Sequence, residues 1–197
     1  LGFDVRASWS ARSFQAPESI RAGTTHFPAE RLELGGRNLA NAWAELNSRS
    51  TEEQERALEL VRLGLGSDVD RVVTRPDPGG GNVYLGLRFR GRSEVVPAGN
   101  LSDGQLTWLA FVAMASLGRG RSLLAFDEPE KHLHPALLGR VMSLLVELGD
   151  SCQVVLATHS DRVLELLDEP AKSVRVCSLD EGRVSIDTLD AAKLADW

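Results

Sequence analysis

Apolar residues recur at helical spacing from Asn38 to about Leu65: first Leu39, Trp43 and Leu46, then Leu58, Val61 and Leu65. This predicts a helical stretch. Within it, Ser50-Thr51-Glu52-Glu53 reads as an N-cap followed by acidic first-turn residues. The pattern then changes period. Val69 to Arg75 and Val83 to Phe89 read as two strands joined by Pro76-Asp77-Pro78-Gly79-Gly80-Gly81-Asn82. In the second strand Val83, Leu85, Leu87 and Phe89 alternate with Tyr84, Gly86, Arg88 and Arg90, as in a half-buried strand. After Asn100 strands and helices alternate: helix Ser102 to Leu117, strand Leu123 to Asp127, helix Ala136 to Leu148, strand Gln153 to Thr158, helix Ser160 to Leu167. Two last strands, Val174 to Leu179 and Val184 to Thr188, flank the turn Asp180-Glu181-Gly182-Arg183. Apolar strands alternating with amphipathic helices predict an α/β fold, a largely parallel sheet covered by helices.

Residues 1–37 carry no such periodicity; Pro17, Pro28 and Gly35-Gly36 break them into short strands or loops. The chain thus divides into a lead segment 1–37, a helical and hairpin region 38–100 and an α/β lobe 101–197. The row Arg88, Arg90 and Arg92 has the spacing to meet a phosphate backbone. The more frequent meaning of such a row is a solvated face or a protected edge strand.

Composition narrows the class. The 197 residues are 43% hydrophobic and 25% charged, as in a globular domain able to bury a core without staples. The net charge of −6 argues against a globally basic nucleic-acid binder, although 19 of the 22 basic residues are Arg. Two distant cysteines, Cys152 and Cys177, exclude a disulfide scaffold and a Cys-rich zinc site. Beside apolar runs, they read as buried free thiols of a reducing compartment. No apolar run approaches membrane-span length, and the first twenty residues lack a signal-peptide core. The expectation is a cytoplasmic protein with no membrane partner.

Three segments carry chemistry. Leu101-Ser102-Asp103-Gly104-Gln105 opens a helix, and Ser102 with Gln105 fits the S-x-x-Q capping box. The same free N–H groups, hydroxyl and small Gly104 also suit an anion such as a terminal phosphate. Leu123-Leu124-Ala125-Phe126-Asp127-Glu128 ends an apolar strand in two carboxylates, at the sheet edge that opens into the ligand crevice of α/β folds. Asp127 there suits Mg²⁺, and Glu128 suits orienting and deprotonating a water. Val154 to Ser160 is a second apolar strand ending in Thr158-His159-Ser160, where a His can donate to a phosphate oxygen.

In this order the three resemble the carboxyl-terminal half of an ABC-type ATPase head, in the SMC/RecF-like predicted-ATPase branch that includes the overcoming-lysogenization-defect relatives. Leu101 to Gln105 is similar to the signature motif, Leu123 to Glu128 to Walker B, and Thr158-His159-Ser160 to the switch-histidine segment. Asp127-Glu128-Pro129-Glu130 followed by His132-Leu133-His134-Pro135 resembles that branch's Walker B extension, and Gly36-Arg37-Asn38-Leu39-Ala40 the opening of its helical region. The resemblance implies the helix-covered sheet of a P-loop NTPase, with ATP and Mg²⁺ as cofactors. It implies Asp127 for Mg²⁺, Glu128 for the hydrolytic water and His159 for the γ-phosphate. Ser102, Gly104 and Gln105 would meet nucleotide held by a second head, so a homodimer follows. His132 and His134 suit a metal pair by spacing, but without a further close Cys or His a structural role is preferred.

One element of the family is missing. No G-x-x-x-x-G-K-[ST] occurs, since Lys131, Lys172 and Lys193 each lack the preceding Gly, and Gly79 to Gly81 has no Lys after it. The expectation is a half-module lacking the amino-terminal P-loop portion, completed by a P-loop segment on a separate polypeptide or outside these residues. The role implied is DNA maintenance or anti-phage defence, with DNA or an effector protein as a further partner. The alternatives are a non-hydrolysing dimerisation or nucleic-acid scaffold derived from such a head, and a metal-dependent nuclease using the same acids.

Overall fold

The computed structural model describes residues 20–117, 121–131 and 133–189, in two compact units, the chain passing from the first to the second between Thr158 and His159. The lead segment before Ile20, His132 and Lys193 lie outside the described residues.

In the first unit the helical stretch is two helices, α1 (Leu39–Ser48) and α2 (Thr51–Leu65). They part where the cap was expected: Ser50 Oγ accepts from the Glu53 N–H at 3.4 Å, with Glu52 and Glu53 in the first turn. Gly66 ends α2 at φ 112°, a conformation that side chains disfavour, and releases the chain into β2 (Val69–Pro76). β2 pairs antiparallel with β3 (Asn82–Phe89). The other side of β3 pairs with β1 (Thr24–Thr25) and β4 (Val95–Pro97). The arginine-bearing strand is therefore central, which corrects the protected-edge reading. Its neighbours β1 and β4 are two and three residues long, too short to show alternation. Val83, Leu85 and Leu87 join Val69 and Val72 in the core, on the side packed by α1. At Gly86 a Cβ would lie 2.7 Å from the Val96 carbonyl oxygen, so β4 can pair only with a residue lacking one.

A 3-10 turn at Ala98–Asn100 leads into α3 (Asp103–Ser116), in which every residue from Leu106 to Met114 is buried. An all-round apolar helix belongs at the centre of a core. Two buried indoles lock it in place. Trp108 Nε1 donates to the Leu60 and Val61 carbonyls at 3.1 and 3.3 Å, and Trp43 Nε1 donates to the Leu109 carbonyl at 3.2 Å. Then come β5 (Leu123–Asp127), α4 (Pro135–Gly149) and β6 (Gln153–Ala157). β5 and β6 are parallel, from Leu123 opposite Gln153 to Asp127 opposite Ala157. Leu124 and Phe126 pack into the core, the Phe126 ring 5.5 Å from that of Phe111 on α3. This is the expected α/β frame, with a separate antiparallel sheet beside the parallel pair.

The second unit holds α5 (Asp161–Glu165), α6 (Pro170–Ser173) and a hairpin of β7 (Arg175–Asp180) and β8 (Arg183–Thr188). Its turn residues Glu181 and Gly182 both have positive φ, as a two-residue hairpin loop needs. Every residue of β7 and β8 is exposed, Cys177 included, and Cys152 is only half-buried. The expectation of buried thiols is corrected: alternation in a two-stranded ribbon does not guarantee a covering layer. Among the described residues no helix is long and apolar enough to cross a membrane.

Candidate functional site

The geometry centres on the carboxyl end of β5. Asp127 ends the strand, is exposed, and its carboxylate makes no hydrogen bond or ion pair among the described residues. Glu128 follows at φ 50°, the left-handed region, which costs a non-glycine residue about 1–2 kcal/mol. Its N–H still donates to the Ala157 carbonyl at 2.7 Å, extending the β5–β6 ladder by one bond while the chain turns. Strain of this kind collects where surrounding structure over-determines a functional backbone.

Two neighbours act on these acids. Lys131, one turn further on, forms an ion pair with Glu128 Oε2. The hydrogen bond to Glu128 chiefly, and then the charges of Glu128, Asp127 and Glu130, hold the Lys131 ammonium above its ordinary pKa. Glu130 Oε1 accepts from the Thr158 hydroxyl at 2.6 Å, tying the turn after β5 to the end of β6. The other Glu130 oxygen is buried and has no hydrogen-bond partner among the described residues. Glu130 and Thr158 lie inside the motif-like segments with no role implied there, and Lys131 falls between the two halves of the Walker B-like extension. The one available signal was the i, i+3 spacing of Glu128 and Lys131.

The second cluster is the start of α3. Ser102 Oγ accepts from the Gln105 N–H at 3.2 Å and Gln105 Oε1 accepts from the Ser102 N–H at 2.9 Å, a complete capping box. Asp103 pairs with Arg21, whose guanidinium also donates to the Leu101 carbonyl at 2.6 Å. Gly104 lies in the first turn of the helix. The two clusters remain apart: no hydrogen bond or ion pair among the described residues joins Ser102, Gly104 or Gln105 to Asp127 or Glu128. Phe126 stacks near Phe111, and the helix start lies roughly 12 Å further along the α3 axis from Phe111.

His159 is exposed and is the first residue of the second unit. His134 is the N-cap of α4, with Nδ1 accepting from the Ala136 N–H at 3.3 Å and Pro135 in the first turn. That accounts for it structurally. Among the described residues no group of three or more His, Cys, Asp or Glu could hold a metal. Hydrated Mg²⁺ asks less, one or two carboxylates together with water and phosphate oxygens. The unencumbered Asp127 carboxylate fits that demand.

The chain matches over residues 6–165 the family model described as "AAA domain, putative AbiEii toxin, Type IV TA system". It is 33% identical over 72 residues to the Old nuclease of Escherichia phage P2, a match that covers 36% of this chain and 12% of that protein. Among solved structures, it is similar to an Smc head bound to the C-terminal winged-helix domain of ScpA. There the TM-score is 0.62 at 15% identity, over 97% of this chain and 57% of that one. A second is from work on ATP-driven dimerization and DNA-stimulated activation of SMC ATPases, with TM-score 0.57 at 18% identity, over 73% of this chain and 87% of that one. A third is the Smc head domain of Pyrococcus yayanosii with its coiled coil and joint, with TM-score 0.55 at 20% identity, over 73% of this chain and 28% of that one. The P-loop NTPase fold of SMC heads is thus the fold of this chain.

Proposed function

The chain belongs to the AAA-domain family that also carries the AbiEii description, and from that premise we propose that it is the signature- and Walker-B-bearing half of an ABC-type ATPase head. The observation that carries this reading is the pair of adjacent carboxylates at the end of β5. The Asp127 carboxylate makes no hydrogen bond or ion pair among the described residues, and Glu128 is held in a strained backbone that also bonds to Ala157. A purely structural strand end has no need to pay that strain.

In this reading Asp127 would hold Mg²⁺, and the ion would neutralise charge on the transferring phosphoryl group. Glu128 Oε2 releases Lys131, orients a water and takes its proton as the water oxygen bonds to the γ-phosphorus and the bond to the β-phosphate oxygen breaks. The products are ADP and phosphate. His159 donates to the γ-phosphate. The N-terminus of α3, with Ser102, Gly104 and Gln105, meets the γ-phosphate of ATP on a second head. No hydrogen bond or ion pair among the described residues joins it to Asp127 or Glu128, which supports a role across an interface. An isologous dimer with two composite sites follows. The loop that grips the α- and β-phosphates comes from another segment, because no G-x-x-x-x-G-K-[ST] occurs in these residues. The role proposed for the chain is DNA maintenance or anti-phage defence, in line with the DNA-stimulated activation named for SMC ATPases of this fold.

The scaffold reading has its own support. Ser102 and Gln105 are mutually satisfied in the capping box and Glu128 is engaged by Lys131. Phosphate release separates the two. Turnover that is negligible for the purified chain and appears on adding the P-loop-bearing segment supports the ATPase half-module. No turnover in either case favours the scaffold, and robust turnover by the chain alone refutes the half-module.

A further inference from the structure

We propose that the outer face of the β2–β3 sheet, built around Arg71, Arg75, Arg88 and Arg90, is a docking surface for the phosphate backbone of duplex DNA. The argument is independent of the nucleotide site.

The register places the arginines together. Arg71 lies directly opposite Arg88, and Arg75 lies opposite Tyr84, all on the face away from buried Val72, Leu85 and Leu87. Arg90 continues the alternation one residue beyond β3, and the turn at Gly91 lifts Arg92 off the row to lie 6.0 Å over the Phe89 ring. Like charges directly opposite one another destabilise a sheet, so this pairing needs a compensating anion. The protein supplies little of one. Arg71 pairs with its neighbour Asp70, whereas Arg75, Arg88 and Arg90 have no ion pair among the described residues. Arg88 Nε is buried with no hydrogen-bond partner among the described residues, a donor that costs free energy until something accepts from it.

The array also selects its partner. Arg71 and Arg88 lie about 4.8 Å apart across the strands and Arg88 and Arg90 roughly 6.8 Å apart along β3, while Arg75 stands roughly 13.6 Å from Arg71 along β2, an open, uneven lattice. A pocket for a single phosphate would enclose its ligand; a lattice matches a repeating anion such as the DNA backbone. Among the described residues one exposed aromatic, Tyr84, shares the face. Single-strand binding relies on successive aromatic platforms, so a duplex is favoured. The chain's overall charge of −6 leaves little non-specific attraction for DNA elsewhere.

The test is fluorescence anisotropy of a labelled duplex with the whole chain, across a salt series. Four backbone contacts predict a slope of log K on log salt near −3.6, or about a 100-fold loss of affinity between roughly 50 and 200 mM salt. Arg75→Ala with Arg90→Ala should reduce that slope by about 1.8, and Arg75→Glu with Arg90→Glu should weaken binding by more than about tenfold. Both sites are exposed, and a thermal melt verifies that each variant folds. Arg56→Glu with Arg140→Glu changes net charge equally, away from this face, and should bind as the parent does. No duplex binding at low salt would overturn the proposal. So would wild-type binding by the Arg75/Arg90 variants, an equal loss in the Arg56/Arg140 control, tighter binding to single strands, or equal competition by poly-glutamate.

Discussion

Ser102 has one observed role, capping α3, and one proposed role, facing a nucleotide phosphate, and one pair of substitutions separates them. In the structure its hydroxyl accepts the Gln105 N–H, and Gln105 returns a bond to the Ser102 N–H. Ser102→Ala removes the acceptor and costs about 1 kcal/mol, the usual loss for an N-cap. For a domain of this size that lowers the melting temperature by roughly 2–4 °C. Ser102→Asp keeps an oxygen acceptor in the same place and adds a charge that the helix N-terminus favours. Its melting temperature should stay within about 1 °C of the parent by the same arithmetic. Under the proposed function the carboxylate would stand where the γ-phosphate of a facing head approaches, so ATP-dependent dimerisation of the completed head should be lost. Calorimetry reads the first effect and sedimentation with and without ATP the second. If Ser102→Asp destabilises as much as Ser102→Ala, the capping account is wrong. If it is stable and still dimerises with ATP, Ser102 does not face a phosphate.

Gly64→Ala should lower stability although alanine is the better helix former by about 1 kcal/mol, because the new Cβ would come within 2.5 Å of the buried Trp108 indole; an unchanged or raised melting temperature contradicts that packing. The Lys131–Glu128 pair makes a signed pH prediction. Its Lys pKa is raised above 10.5, so its contribution is complete below that pH and is lost as pH climbs through the raised value. The difference in urea stability between the parent and Lys131→Met should therefore be constant at neutral pH and shrink only in strong alkali, and a difference that vanishes near neutrality rules the pairing out.

Much of this was legible in the chain because the signals are local. Ser50 with Glu53, and Ser102 with Gln105, are caps set by residues three apart, and both form where the sequence places them. The carboxylates at the end of β5 follow from an apolar run that stops at Asp127. What escaped depends on distant partners. Arg21 reaches Asp103 from 82 residues away, and nothing near either residue announces it. β3 became central through strands of two and three residues. The left-handed Glu128 arises from its bond to β6, which no propensity encodes. The hairpin β7–β8 formed as read, but alternation alone did not say that Cys177 would be uncovered.

The most direct measurement is single-turnover phosphate release by Glu128→Gln in the head completed with its P-loop-bearing segment, alongside equilibrium binding of ATP. Gln keeps the size of the side chain and cannot take the proton. Hydrolysis should fall by roughly 100-fold or more while ATP affinity is retained, the scale of a general-base contribution. Turnover equal to that of the parent would contradict the assignment of Glu128 as the base.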